Sequence, residues 1–223
     1  MRWKLIVIEG SDCSGKETQS NKLYETLKSE GYNVYKTAFP MYDTPTGKII
    51  GGPFLGKSYI GDGWFPEGAS NVDPLIPSLY FAADRRYNIG KINELLDSGV
   101  NVILDRYSYS NMAHQGCRSN DPKERVKMYD KLEKLEFDLL ELPQADIKVF
   151  LHMPYKFSIE LAKKREEARD QYESDDNLLR LSEIAFLEIA DRYNFKVIEC
   201  ATDTVRSIED ISKDVISYVK ENL

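Results

Sequence analysis

The stretch Leu5-Ile6-Val7-Ile8-Glu9-Gly10-Ser11-Asp12-Cys13-Ser14-Gly15-Lys16-Glu17-Thr18 decides how the rest of the chain is read. A β-branched apolar run stops at Gly10, four residues pass, and Gly15-Lys16 opens a segment of helix-forming composition. Strand, glycine-rich loop and helix in that order are what a phosphate-cradling P-loop needs. The glycines let successive N–H groups turn inward, and the N-terminus of the following helix adds partial positive charge. A polyphosphate fits such a loop. Gly10, Ser11, Asp12, Cys13, Ser14, Gly15, Lys16, Glu17 and Thr18 are therefore expected to bind ATP, with Lys16 reaching the β- and γ-phosphates. The bland alternative is a glycine-rich turn with an incidental lysine; the strand and the spacing together argue against it. Glu17 departs from the pattern, standing where a Ser or Thr hydroxyl normally contacts Mg²⁺.

A chain of 223 residues buries a substantial core, and alternating strand and helix patterns without an internal linker predict one domain over 1–223. A net charge of −7 argues against a general nucleic-acid surface but is compatible with a local basic pocket. The three cysteines, Cys13, Cys117 and Cys200, match no zinc spacing and leave an odd number, which predicts a reducing compartment rather than a disulfide framework. The first residues run into a strand without a signal-peptide core, and no apolar run approaches the length of a membrane span. A cytoplasmic protein without membrane or nucleic-acid partners is expected.

Apolar runs at Lys4–Glu9, Asn33–Ala38, Asn101–Asp105, Asp146–His152 and Phe195–Cys200 predict five strands. Helical patterns cover Gly15–Glu30, Pro74–Ser98, Lys123–Leu142, Tyr155–Arg169, Asn177–Tyr193 and Val205–Asn222. Such alternation implies an α/β fold of three layers, a five-stranded parallel sheet with helices on both faces and a ligand crevice beyond the carboxyl ends of its strands. Residues 43–77, dense in Gly and Pro, predict a short helix within a long loop. The charged run Lys123–Lys134 reads as the solvated face of a helix.

The third run delivers Asp105 and Arg106 together at its end, a carboxylate suited to hydrated Mg²⁺ and a fork suited to a phosphoryl group. By itself such a pair is as easily a surface salt bridge. Its sequel, Asp105-Arg106-Tyr107-Ser108-Tyr109-Ser110-Asn111-Met112-Ala113-His114-Gln115, resembles the Asp-Arg-Tyr, Ser, Ala, aromatic, Gln pattern of thymidylate kinases. Phe39-Pro40 resembles that family's Phe-Pro turn. Leu79-Tyr80-Phe81-Ala82-Ala83-Asp84-Arg85 resembles its Phe-x-x-x-Arg helix, and a spacing of four puts Phe81 and Arg85 on one helix face. Ala168-Arg169-Asp170-Gln171-Tyr172-Glu173 resembles the end of its lid, a segment of about 163–175 here.

The resemblance implies a P-loop NTPase fold with a short lid, an acceptor-side insertion at 43–77, and transfer of the γ-phosphoryl group of ATP to dTMP in dTTP synthesis. Other nucleoside monophosphate or deoxynucleoside kinases are the nearest alternatives, and a nucleotide-binding module without turnover a more distant one. It implies dTMP contacts from Asp12, Phe39, Pro40, Tyr42, Phe81, Arg85, Arg106, Ser110, Asn111, His114, Gln115, Asp170 and Tyr172. Phe81 would stack on thymine and Arg85 reach a ring carbonyl. Lys16, Asp105, Arg106 and a lid cation would be catalytic. Cys13 stands where some members carry a P-loop arginine, so that cation is expected from the lid, Arg165 first, with Arg169, Lys163 and Lys164 as alternatives. Glu17 and Asp105 are the expected Mg²⁺ ligands, with Thr18 serving a donor phosphate. His114 occupies a position often held by tyrosine in the family; it would either relax discrimination against ribose or act as a helix residue satisfied by a backbone carbonyl. Met41 and Tyr42 replace an arginine that usually follows the turn, which puts more of the acceptor phosphate on Arg106. A homodimer is implied as well.

Overall fold

The structure is a computed structural model and describes residues 3–11, 13–164 and 176–223. Five parallel strands form where the apolar runs predict them: β1 (Leu5–Gly10), β2 (Val34–Ala38), β3 (Asn101–Asp105), β4 (Ile147–His152) and β5 (Lys196–Glu199). They lie in the order β2-β3-β1-β4-β5. β1 is central and wholly buried, whereas the edge strands β2 and β5 are partly exposed, as parallel sheets covered on both faces require.

Side chains alternate across β1, so its two faces seed two cores. Leu5 and Val7 pack with Ile89, Ile92 and Leu96 of α3 (Leu75–Asp97) and with Phe186 and Ile189 of α7 (Asp176–Arg192). Ile6 and Ile8 pack with Leu23 and Leu27 of α1 (Lys16–Ser29) and with Val215 and Val219 of α8 (Ile208–Asn222). Each aliphatic side chain so buried contributes about 1.5–3 kcal/mol. Register places Ile8 of β1 beside Asp105, Ala38 beside Asp105 and Gly10 beside Leu151, so the ends of β1, β2 and β3 converge at one edge of the sheet.

Several elements differ from expectation. The helix expected over Lys123–Leu142 is α5 (Pro122–Glu133) continued by wider π-helical turns over Lys134–Leu139. Its charged run is not all solvated: Arg125 is buried and forks onto Glu188, with Nε and Nη2 at 2.9 and 2.6 Å from the carboxylate oxygens. The short helix in 43–77 is present as α2 (Pro45–Ile49), followed by π-helical turns over Ile50–Phe54. A helix not expected at all, α4 (Ser108–Gly116), follows β3 directly. The helix expected over Tyr155–Arg169 is described as α6 (Tyr155–Lys164), and its continuation lies outside the described residues.

Candidate active site

The loop after β1 is built as the motif requires. A Cβ on Gly10 would stand 2.4 Å from Ser14 Oγ and 2.8 Å from the Leu151 carbonyl, so only glycine fits that close approach. Gly15 has φ +79° and supplies the left-handed turn into α1. The Lys16 ammonium is buried at the loop, donating to the Ser11 carbonyl at 2.7 Å and lying 3.5 Å from Ser14 Oγ. Glu17 and Thr18 are exposed on the first turn of α1, and Cys13 is partly exposed with φ +60°. Asp12 lies outside the described residues, as do Arg165, Arg169, Asp170 and Tyr172; the side chains of Lys163 and Lys164 are likewise not described.

At the end of β3, Asp105 is 8% exposed and its Oδ2 is 3.5 Å from Ser20 Oγ, a hydroxyl that also donates to the Glu17 carbonyl at 3.0 Å. Arg106 follows with φ +66°, a conformation uncommon outside glycine and characteristic of functional turns. Its Nη1 is 3.2 Å from His114 Nε2. A guanidinium can only donate, so His114 Nε2 is the acceptor of this contact.

Glu9, a buried carboxylate at the end of an apolar strand, is a residue the sequence reading missed. Its Oε1 accepts the Tyr107 and Ser110 amides at 2.8 and 3.1 Å, and its Oε2 accepts the Ser110 hydroxyl. It therefore caps the N-terminus of α4 from across the sheet, answering orphan N–H groups with a charge the helix dipole favours. Burial raises its pKa, against lowering by the Ser110 hydroxyl, the Arg106 charge, the Tyr107 amide and Lys16. Ser110 lines the site with its hydroxyl already given to this carboxylate.

A cavity of about 220 Å³ opens between α3, α4 and the 43–77 segment, lined among others by Phe39, Pro40, Tyr42, Phe81, Arg85, Arg106, Ser110, Asn111, His114 and Gln115. Residues from four parts of the sequence meet there. The Phe81 ring stands edge-on to Phe54 at 6.1 Å, inside a cluster with Phe65 and Tyr80. Arg85, 3% exposed, is gripped from behind by fully buried Glu136: Nε donates to Oε2 at 2.8 Å and Nη2 to Oε1. The same carboxylate takes the Asn111 amide at 2.8 Å and the Ser108 hydroxyl at 3.1 Å. Asn111 Oδ1 accepts the Gln115 amide at 3.4 Å, which leaves the Arg85 Nη1 donors and Gln115 Oε1 for a ligand; Gln115 Oε1 is buried without a partner among the described residues. Glu136 lies in the π-helical turns, where no local pattern marks it.

Asp84, buried beside Arg85, organises the turn after β2. Its carboxylate accepts the Met41 amide at 2.9 Å, the Thr46 hydroxyl at 2.7 Å and the Asn88 amide at 2.9 Å. The cis Phe39–Pro40 peptide precedes that turn. Asp84 precedes Arg85 in the Phe-x-x-x-Arg helix, yet nothing in that pattern separates its scaffolding role from a surface charge.

A P-loop on a parallel sheet, an Asp-Arg pair at the neighbouring strand's end and an aromatic-lined cavity with a buried arginine define a P-loop nucleotide kinase. A sequence model of thymidylate kinase matches residues 8–215. A probable thymidylate kinase of Pyrococcus abyssi is 32% identical over 100% of this chain and 98% of its own length. The Homo sapiens thymidylate kinase is 29% identical over 96% of this chain and 88% of its own. A solved thymidylate kinase from Candida albicans superposes with a TM-score of 0.72 at 25% identity, covering 99% of this chain and 92% of that one. The chain belongs to the thymidylate kinase family and is an ATP-using phosphotransferase.

Proposed function

We propose that this chain transfers the γ-phosphoryl group of ATP to dTMP, giving dTDP and ADP for dTTP synthesis, with ATP on the loop after β1 and dTMP in the cavity beside it. The observation that carries the reading is the meeting of Phe81, Arg85, Asn111 and Gln115 around one cavity that Arg106 also lines. A planar ring, donors and an unpartnered acceptor suit a pyrimidine, and the guanidinium suits its phosphate. Phe81 stacks on the base and Arg85 donates Nη1 to a ring carbonyl, held in that pose by Glu136. Arg106 grips the acceptor phosphate, Lys16 the donor phosphates, and Thr18 assists from the first turn of α1. Arg165 remains the proposed donor-side cation, because Cys13 stands where some family members carry a P-loop arginine.

Phosphoryl transfer spreads charge over the moving group, so these positioned cations do most of the work in a site that excludes water. Among the described residues no group of three or more His, Cys, Asp and Glu side chains could hold a metal by itself. A pair of carboxylates, Asp105 and Glu17, fits Mg²⁺, which keeps waters and takes one or two carboxylates plus substrate phosphates. Asp105, whose Oδ2 is 3.5 Å from Ser20 Oγ, and Glu17, on the first turn of α1, would hold it, and the ion would neutralise phosphate charge.

We further read the chain as one kinase unit in the cytoplasm; among the described residues no helix is long and apolar enough to cross a membrane. A homodimer is supported by the exposed Ile76, Leu79 and Tyr87, which share one side of α3. ADP formation from ATP, measured with dTMP, dUMP, dGMP, dCMP, AMP and thymidine in turn, tests the reaction. Preference for dTMP is expected. Preference for AMP or thymidine would move the chain to another kinase specificity, and no turnover with any acceptor would make it a binding module.

A further inference from the structure

The cavity holds an uneven set of charges. Among the described residues three cations line it, Lys57, Arg85 and Arg106, and no carboxylate does. Arg85 is already neutralised by the fully buried Glu136. Arg106 gives Nη1 to His114, and its charge acts on the buried Glu9 carboxyl. Lys57 is different: it is half-buried, and no carboxylate among the described residues pairs with it. Its ammonium instead lies over the Tyr42 ring at 5.3 Å and 6.0 Å from the centre of Tyr59. Cation–π contact holds a positive charge in place without cancelling it.

The backbone that presents Lys57 is pinned. Its amide donates to the Gly51 carbonyl at 2.8 Å, and its carbonyl accepts the Ile60 and Gly61 amides at 2.8 and 3.0 Å. The preceding Gly56 amide binds the Gly52 carbonyl at 2.7 Å. A long side chain on a fixed Cα, leaning on a cavity-lining tyrosine, loses little freedom when it meets an anion. A phosphate monoester near neutral pH carries up to two negative charges, more than Arg106 answers alone while it also faces Glu9.

We propose that Lys57, from the 43–77 segment, is a binding residue for the phosphate of the acceptor nucleotide, sharing that group with Arg106. This rests on reading the cavity as the dTMP site. Tyr42 is then the positioning residue that aims the ammonium.

The test compares a ligand that has the phosphate with one that lacks it. Dissociation constants of dTMP and thymidine are measured by calorimetry or competition for the full chain, Lys57→Met and Lys57→Arg. Lys57→Met should weaken dTMP by about tenfold to a hundredfold, the loss expected for one charge-assisted hydrogen bond. Thymidine should be unaffected, and Lys57→Arg should recover most of the dTMP affinity. Unchanged dTMP affinity in Lys57→Met, or equal losses for dTMP and thymidine, would overturn the assignment, the second making Lys57 a wall of the cavity only. A wild-type chain that binds neither ligand but binds another monophosphate would overturn the reading of the cavity instead, leaving that nucleotide and its nucleoside as the pair for the same comparison.

Discussion

The proposed donor loop and the proposed acceptor cavity are built in opposite ways. Residues 10–18 form one uninterrupted stretch, in which glycine spacing, a lysine and a helix start suffice to make a phosphate site. The cavity draws Phe39 and Tyr42, Lys57, Phe81 and Arg85, and Arg106 to Gln115 from separate segments. Behind it stand three buried carboxylates, Glu9, Asp84 and Glu136, none of which lines the cavity. Glu9 caps α4, Asp84 ties down the turn after β2, and Glu136 fixes Arg85. The difference teaches that a local backbone site tolerates isolation, while a site made of side chains needs a buried polar frame to hold them.

Losing the central cation of the donor loop should have the largest effect. Lys16→Met is expected to lower turnover by about a thousandfold or more while leaving the melting temperature within a few degrees. Near-normal dTMP-dependent ADP formation would remove the donor loop from the comparison.

The acceptor side should break through stability as well as binding. Arg85→Met strands Glu136 in the core and should cost about 3–5 kcal/mol in urea unfolding, alongside a raised KM for dTMP. Adding Glu136→Gln, which removes the stranded charge and keeps an acceptor for Asn111 and Ser108, should restore part of that stability without restoring dTMP affinity. If the double variant recovered both, Arg85 would be a structural cation only.

A smaller effect belongs to the metal edge of the donor loop. Glu17→Gln should raise the Mg²⁺ concentration for half-maximal activity by about twofold to fivefold, since an exposed carboxylate acts weakly on a neighbouring ion. Titrating activity against Mg²⁺ decides it, and an unchanged midpoint would assign the metal to Asp105 without Glu17.

The smallest effect lies outside both regions. His152, at the end of β4, bridges Glu183 and Glu199 at 2.8 and 2.7 Å. The Glu183 hydrogen bond, helped by the Glu199 charge and opposed by burial, raises its pKa above the ordinary 6.5. A raised native pKa stabilises the fold fully below 6.5, and that contribution is lost as pH rises through the native value. Burial works to raise the Glu183 carboxyl, but the His152 and Tyr155 hydrogen bonds outweigh it and hold the pKa below 4.5, so its share is lost only in acid. His152→Gln should therefore lower the melting temperature by about 1–3 °C more at pH 6 than at pH 9. Equal losses at both pH values would mean the ring contributes only as a neutral hydrogen-bonding group.

The sheet and the donor loop were readable from the sequence because both rest on short-range regularities. Apolar runs at Leu5–Gly10 and Asn101–Asp105 and the glycines at 10 and 15 specify backbone directly through burial and φ. The pairing of Phe81 with Arg85 was readable too, since helix geometry alone puts positions four apart on one face. What tertiary structure decided is where the interior carboxylates go. α4 begins with Ser108-Tyr109-Ser110-Asn111, a run of modest helix propensity, and is started by Glu9, 98 residues upstream of the Tyr107 amide it accepts. Glu136 meets Arg85 across 51 residues, and Lys57 meets Tyr42 only because the loop between them doubles back. A buried charge is stable only beside partners that the folded chain supplies, so its place is set by long-range contacts and leaves no periodic trace in the sequence.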